Sequence, residues 1–272
     1  MNAHFALACV TRYEKIMATR FFSVSTARIA IAFLILFTLY QSAEGIGARL
    51  LHSAIVQDAF MISAVAAAWP VGRWLLRWRG YAAYALEWQR GAPLWLSAGL
   101  TLSLLGKAAA IGVGLQIGAY VETAGPTPPL TIGTIGLLLV GTLIASIAED
   151  ILTRGFWWRV RPIAAGVGRF VIASSLIYLL NHVFRLSKGP GEWFMLICLG
   201  IAYATALART NSLWAPVGLH WGWNLANGLV DGLVSLDANP ALTPYLSGVT
   251  NLAMTLIILW LPIWRRPDEQ RR

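Results

Sequence analysis

Glu149-Asp150-Ile-Leu-Thr-Arg154, Tyr178-Leu-Leu-Asn-His182 and His220-Trp-Gly-Trp-Asn224 are three short polar signatures set in otherwise apolar sequence. Their reading decides the fold. Each spacing is i, i+4, so on a helix the two ends of a signature share one face. Ionisable side chains inside a membrane segment are costly and by default mark function. Three helices that each turn two polar groups inward outline a chamber within a bilayer.

Composition supports that setting. The chain has 272 residues, 57% of them hydrophobic and 12% charged, and its mean hydropathy is +0.63. These values belong to an all-α polytopic membrane bundle rather than to a soluble globular protein. The net charge of +9 does not point to nucleic acid, because the basic residues sit in short loops between apolar spans. Cys9 and Cys198 lie far apart and suggest no disulfide framework.

A spanning helix needs about 20 mostly apolar residues. Eight segments are expected to cross the bilayer: 22–43, 53–72, 94–120, 130–151, 166–186, 192–208, 212–234 and 244–264. Segment 73–92, basic and aromatic, is expected along the interface. Of the 21 Lys and Arg residues, 17 fall in one set of loops; the other set has only Arg49, Arg185 and Lys188, and Lys107 lies inside a span. That asymmetry predicts cytoplasmic termini. No signal peptide is expected, since basic residues follow the first apolar stretch, and Met17 competes with Met1 as the start. Residues 1–129 read as an N-terminal region with three spans, 130–234 as the core, and 235–272 as the last span with a basic tail.

For the signatures to cooperate they must meet at one depth. If span four continues helically to Pro162, Glu149 and His182 each lie roughly 20–24 Å from a turn near Gly166, at 1.5 Å per residue. His220 and Asn224 lie about 15–21 Å beyond Arg209 by the same rise. Plainer readings stand beside this one. Asp150 and Arg154 form an i, i+4 ion pair that neutralises two costly residues. A single intramembrane His or Asn serves helix–helix hydrogen bonding. His220, Asn224, Asn227 and Asp231 form a stripe that could line a transport path. Ser103 and Lys107 have the spacing of a nucleophile–base dyad, and Asp58 and Lys107 could be interhelical partners.

The three signatures together resemble the CPBP group, the CAAX proteases and bacteriocin-processing enzymes also called Abi, which includes the Ras-converting CAAX endopeptidases. Its E-E-x-x-x-R motif corresponds to Glu149-Asp150…Arg154, its F-x-x-x-H to Tyr178…His182, and its H-x-x-x-N to His220…Asn224. Asp150 and Tyr178 depart from the usual Glu and Phe. The resemblance implies an intramembrane endopeptidase with Glu149, His182, His220 and Asn224 as catalytic residues and Asp150, Arg154 and Tyr178 in support. Glu149 would be the general base, His182 would hold the water, and His220 with Asn224 would stabilise the oxyanion.

A metal version with zinc on Glu149, His182 and His220 uses an established ligand set, while the preferred mechanism requires no cofactor. Expected partners are the lipid bilayer and a hydrophobic or lipidated peptide, with no nucleic acid. The expected location is a bacterial cytoplasmic (inner) membrane. The alternatives are a non-catalytic membrane scaffold or immunity protein, or a transporter lined by the span-seven stripe.

Overall fold

Long apolar runs without turn chemistry leave the backbone one option in lipid, which is to satisfy its own hydrogen bonds as helix. The computed structural model describes residues 24–123, 131–160 and 166–264. Met1, Cys9, Met17, Arg161, Pro162 and the tail from residue 265 lie outside the described residues, so the expectations placed on them and on the termini are not addressed by it.

Eight helices carry the described chain. In order they are α1 Thr26–Ser42, α2 Ala54–Pro70, α3 Ala92–Gln116, α4 Ile132–Asp150, α5 Val167–Asn181, α6 Pro190–Thr210, α7 Trp214–Leu233 and α8 Thr243–Trp260. Three continue as wider π-helical turns: α1 through Ala43–Leu50, α2 through Val71–Leu75 and α4 through Ile151–Val160. Counting these extensions, five helices are long and apolar enough to cross a membrane: Thr26–Leu50, Ala54–Leu75, Ala92–Gln116, Ile132–Val160 and Pro190–Thr210. The protein is a helical integral membrane protein. The other three helices are shorter or more polar, and α7 carries the polar stripe.

Helix contact here rests on small residues, as it must where lipid competes with any apolar side chain. A Cβ on Gly218 of α7 would lie 2.3 Å from the Leu96 carbonyl oxygen of α3, and one on Gly222 would lie 2.6 Å from that of Leu100. Helices α3 and α7 therefore touch backbone to backbone. Helix α6 is the most enclosed, with Ala202, Tyr203, Ala204, Ala206 and Leu207 all at 0% exposure.

Three expectations need correction. Span five ends early: α5 stops at Asn181, and a 3₁₀ turn follows over Val183–Lys188. Segment 73–92 does not simply lie on a surface. Its 3₁₀ turn Gly80–Tyr84 is held against the π-helical end of α4, where Arg159 Nη1 donates to Glu87 Oε1 at 2.7 Å and to the Ala82 carbonyl at 3.1 Å. Of its large hydrophobic residues only Trp74 and Trp88 are exposed, together with Arg73, Arg77, Arg79 and Arg90. Finally, an all-helical pattern missed a small antiparallel ribbon of β1 (Tyr120–Glu122) and β2 (Leu236–Ala238). Its strands leave the ends of α3 and α7, the two helices already in close contact.

Candidate active site

The site begins with the change in helical winding at residue 150. Beyond Asp150, α4 loosens into π turns, a feature that recurs at functional sites. Loosened turns leave carbonyls to be satisfied by side chains. Ser174 of α5 donates to the Thr153 carbonyl at 3.1 Å, and Thr153 Oγ1 donates to that of Glu149 at 2.7 Å. This helix end is almost wholly enclosed, and Arg154 is fully buried.

Within that frame the predicted residues converge. Asp150 and Arg154 form the expected ion pair, and both are inaccessible. The guanidinium also lies over two rings, 4.5 Å from the centre of Tyr178 and 4.8 Å from that of Tyr203. Cation–π contact of this kind is stronger where water is excluded. Tyr178 thus supports Arg154 with its ring.

His182 caps α5 rather than lying within it. Its Nδ1 lies 2.8 Å from the Tyr178 carbonyl oxygen. A carbonyl can only accept, so Nδ1 carries the proton and Nε2 is left to face Glu149 Oε1 at 3.5 Å. His220 repeats the arrangement from α7. Its Nδ1 is 3.3 Å from Asp150 Oδ1, and its Nε2 is 3.6 Å from Glu149 Oε2. Its ring stacks on Tyr203 with centroids 5.1 Å apart. The Glu149 carboxylate therefore sits between two imidazoles, each oriented by a hydrogen bond on its far side. Its Oε1 is buried and has no hydrogen-bond partner among the described residues.

Asn224 reaches the same cavity but points its Nδ2 to Ser146 Oγ at 3.3 Å. The cavity measures about 390 Å³, and its walls include Glu149, Tyr178, His182, His220, Asn224 and Asn227. Asp231, at the end of the predicted stripe, is exposed and outside that wall. Ser103 and Lys107 do not pair: Ser103 Oγ contacts Met254 Sδ at 3.9 Å, whereas Lys107 Nζ donates to Tyr120 Oη at 3.3 Å. Asp58 faces Gly141 of α4 instead of Lys107.

Two site residues escaped the sequence reading. Tyr203 carries no motif and lies in an apolar helix. Tyr40 of α1 lines the cavity alongside Glu149. A tyrosine in an apolar span was the only available signal for either.

The donor chemistry of Glu149, His182 and His220 would suit zinc, since both imidazoles present Nε2 and both Nδ1 atoms are tied behind. Their placement does not suit it: among the described residues, no group of three His, Cys, Asp or Glu side chains is positioned to hold a metal ion.

Residues 131–226 match the family model described as type II CAAX prenyl endopeptidase Rce1-like. This stretch spans all three signatures, and the match supports the CPBP/CAAX protease family. The match supports a protease. No curated protein and no solved structure matches the chain.

Proposed function

We propose that the protein is an intramembrane endopeptidase in which Glu149 activates water against a peptide bond. The observation that carries this reading is the buried Glu149 carboxylate flanked at 3.5 and 3.6 Å by two imidazole Nε2 atoms whose Nδ1 atoms are anchored. A general base must be held within reach of the proton it takes, and anchored imidazoles fix that position.

In the proposed reaction, a water donates one hydrogen bond to Glu149 and the other to His182 Nε2. Glu149 takes its proton as the oxygen attacks the carbonyl carbon. His220, in its imidazolium form beside Asp150, donates Nε2–H to the developing oxyanion, and Asn224 supplies a second donor after turning from Ser146. Each donor of this type is worth about 3–4 kcal/mol in the transition state. The tetrahedral centre then collapses, the C–N bond breaks, and Glu149 returns its proton to the leaving nitrogen. Arg154 and Asp150 hold the helix and balance charge. No step is routed through a metal.

The substrate fitting an intramembrane cavity is a hydrophobic or lipidated peptide, a CAAX-type prenylated end among them, reaching the site through the bilayer. A bacterial cytoplasmic membrane is the proposed location, with residues 130–234 as the catalytic core. Purified protein in detergent, assayed on quenched-fluorescent peptides with and without farnesyl groups, tests the reading. Wild type is expected to cleave, and folded Glu149→Gln to lose at least two to three orders of magnitude. Cleavage that survives the substitution would remove Glu149 from its role. Loss of wild-type activity to a chelator, restored by zinc, would replace the metal-free route.

A further inference from the structure

Helix α5 stops where its sequence would let it run on. Tyr178-Leu-Leu-Asn-His-Val-Phe184 contains no glycine or proline. Yet winding ends at Asn181, and His182 takes φ −87° and ψ 47°, far from the helical pair of about −63° and −42°. A helix end leaves its last carbonyls without partners, and lipid supplies no water to satisfy them. The Asn181 carbonyl finds its partner far along the chain. Gln41 of α1 places its side-chain amide 2.8 Å from that carbonyl oxygen and 3.0 Å from Asn181 Oδ1. A carbonyl only accepts, so the amide end turned to it is the Nε2 donor.

That hydrogen bond competes with the helix itself. Were α5 to continue, the Asn181 carbonyl would accept from the Arg185 N–H and the Tyr178 carbonyl from the His182 N–H. Both donors are instead engaged one residue short. Arg185 N–H donates to the His182 carbonyl at 2.8 Å, and His182 N–H to that of Leu179 at 3.1 Å. The Tyr178 carbonyl is thereby left for His182 Nδ1, the contact that turns Nε2 to Glu149. A second hold lies on the far side of His182. Arg49, from the π-helical extension of α1, donates to the Phe184 carbonyl at 3.3 Å, and its guanidinium lies 4.6 Å from the centre of the Phe184 ring. Gln41 falls outside residues 131–226, so the matched domain does not contain it.

We propose that Gln41 is a positioning residue for His182: by holding the Asn181 carbonyl it keeps α5 from winding on, and so fixes which imidazole nitrogen faces Glu149. This rests on the endopeptidase reading and adds the residue that aims its water-holding imidazole. A glutamine that only joins α1 to α5 predicts a less stable protein with an unaltered His182.

The imidazole reports the answer without substrate. Purified protein carrying isotope-labelled histidine is read by nitrogen NMR at an alkaline pH where His182 is neutral, and its signals are assigned by their loss from His182→Gln. Wild type is expected to show a protonated Nδ1 and a bare Nε2. Gln41→Met, similar in length but without a donor, should lose that pattern, the two nitrogen signals converging as the proton is shared between tautomers. Gln41→Ala takes its place if the Met variant is not monodisperse. Asn181→Ala, which keeps the carbonyl, should retain the pattern. Its persistence in a folded Gln41 variant, its absence from wild type, or its loss from folded Asn181→Ala would each overturn the assignment. So would failure of both Gln41 variants to fold, the mark of a residue needed for stability alone. In the cleavage assay, Gln41→Met should lower kcat about 10²-fold and leave KM unchanged. Wild-type cleavage decides the parent reading, and the histidine signals stand whichever way it falls.

Discussion

Asp150 has two duties at the residue scale, and they are separable. Its Oδ1 meets both Arg154 and His220 Nδ1. Asp150→Asn removes a charge that two buried groups depend on, and breaking a buried pair from one side costs about 3–5 kcal/mol. A lower thermal inactivation temperature in detergent is expected along with lost peptidase activity. His220→Ala leaves the Asp150–Arg154 pair in place. It should lower kcat by about 10²- to 10³-fold, with a far smaller effect on stability than Asp150→Asn. Equal destabilisation by the two would mean that His220 is a packing residue. All seven residues of the three signatures were legible in the sequence because the bilayer penalises unpaired polar groups, so their recurrence at helical spacing had to be explained. Tyr203 and Tyr40 were not legible. An aromatic ring costs nothing in an apolar helix, so nothing in the chain distinguishes these two from other tyrosines until the tertiary structure places one under Arg154 and the other against Glu149.

Among the elements, the pairing of α3 with α7 decides whether His220 arrives at the right height. At Gly218 and Gly222 a methyl group would meet backbone carbonyls at 2.3 and 2.6 Å, and backbone cannot turn aside as a side-chain tip can. Gly218→Ala is expected to destabilise by about 1–3 kcal/mol, as overpacking does, and to reduce peptidase activity by shifting α7. Gly112→Ala on α3, where nothing lies within 4 Å of the added carbon, should be silent. Unfolding midpoints and specific activity of the two variants provide the comparison. Helix existence followed from hydrophobic length alone, and the extension of span four past residue 151 followed from the need to bring Glu149 level with His182. The π winding of that extension did not, because it depends on Ser174 satisfying a carbonyl from another helix. The ribbon of β1 and β2 was equally hidden: three-residue strands have no periodicity to read.

For the whole molecule, the cavity has a direction. Ala238, Thr243, Pro244 and Glu192 form part of its wall, and they belong to the bundle end that bears the poorly basic loops. Of the three basic residues at that end, Arg49 and Arg185 are paired with Glu44 and Glu192. With basic loops cytoplasmic, the cavity is predicted to open on the opposite face. In a Cys9→Ser background, Ala238→Cys should react with a membrane-impermeant maleimide in intact cells, whereas buried Cys198 should not; labelling only after the membrane is broken would reverse the orientation. The fully enclosed pair of Asp150 and Arg154 bears on biogenesis. Both partners lie on one helix, so α4 can enter the bilayer already neutralised, before any neighbour is present. Glu149 has no such companion on its own helix: His182 is made 33 residues later and His220 71 residues later. The helix can thus be inserted early, while the carboxylate proposed to do the chemistry has no imidazole partner until α7 has been synthesised and docked.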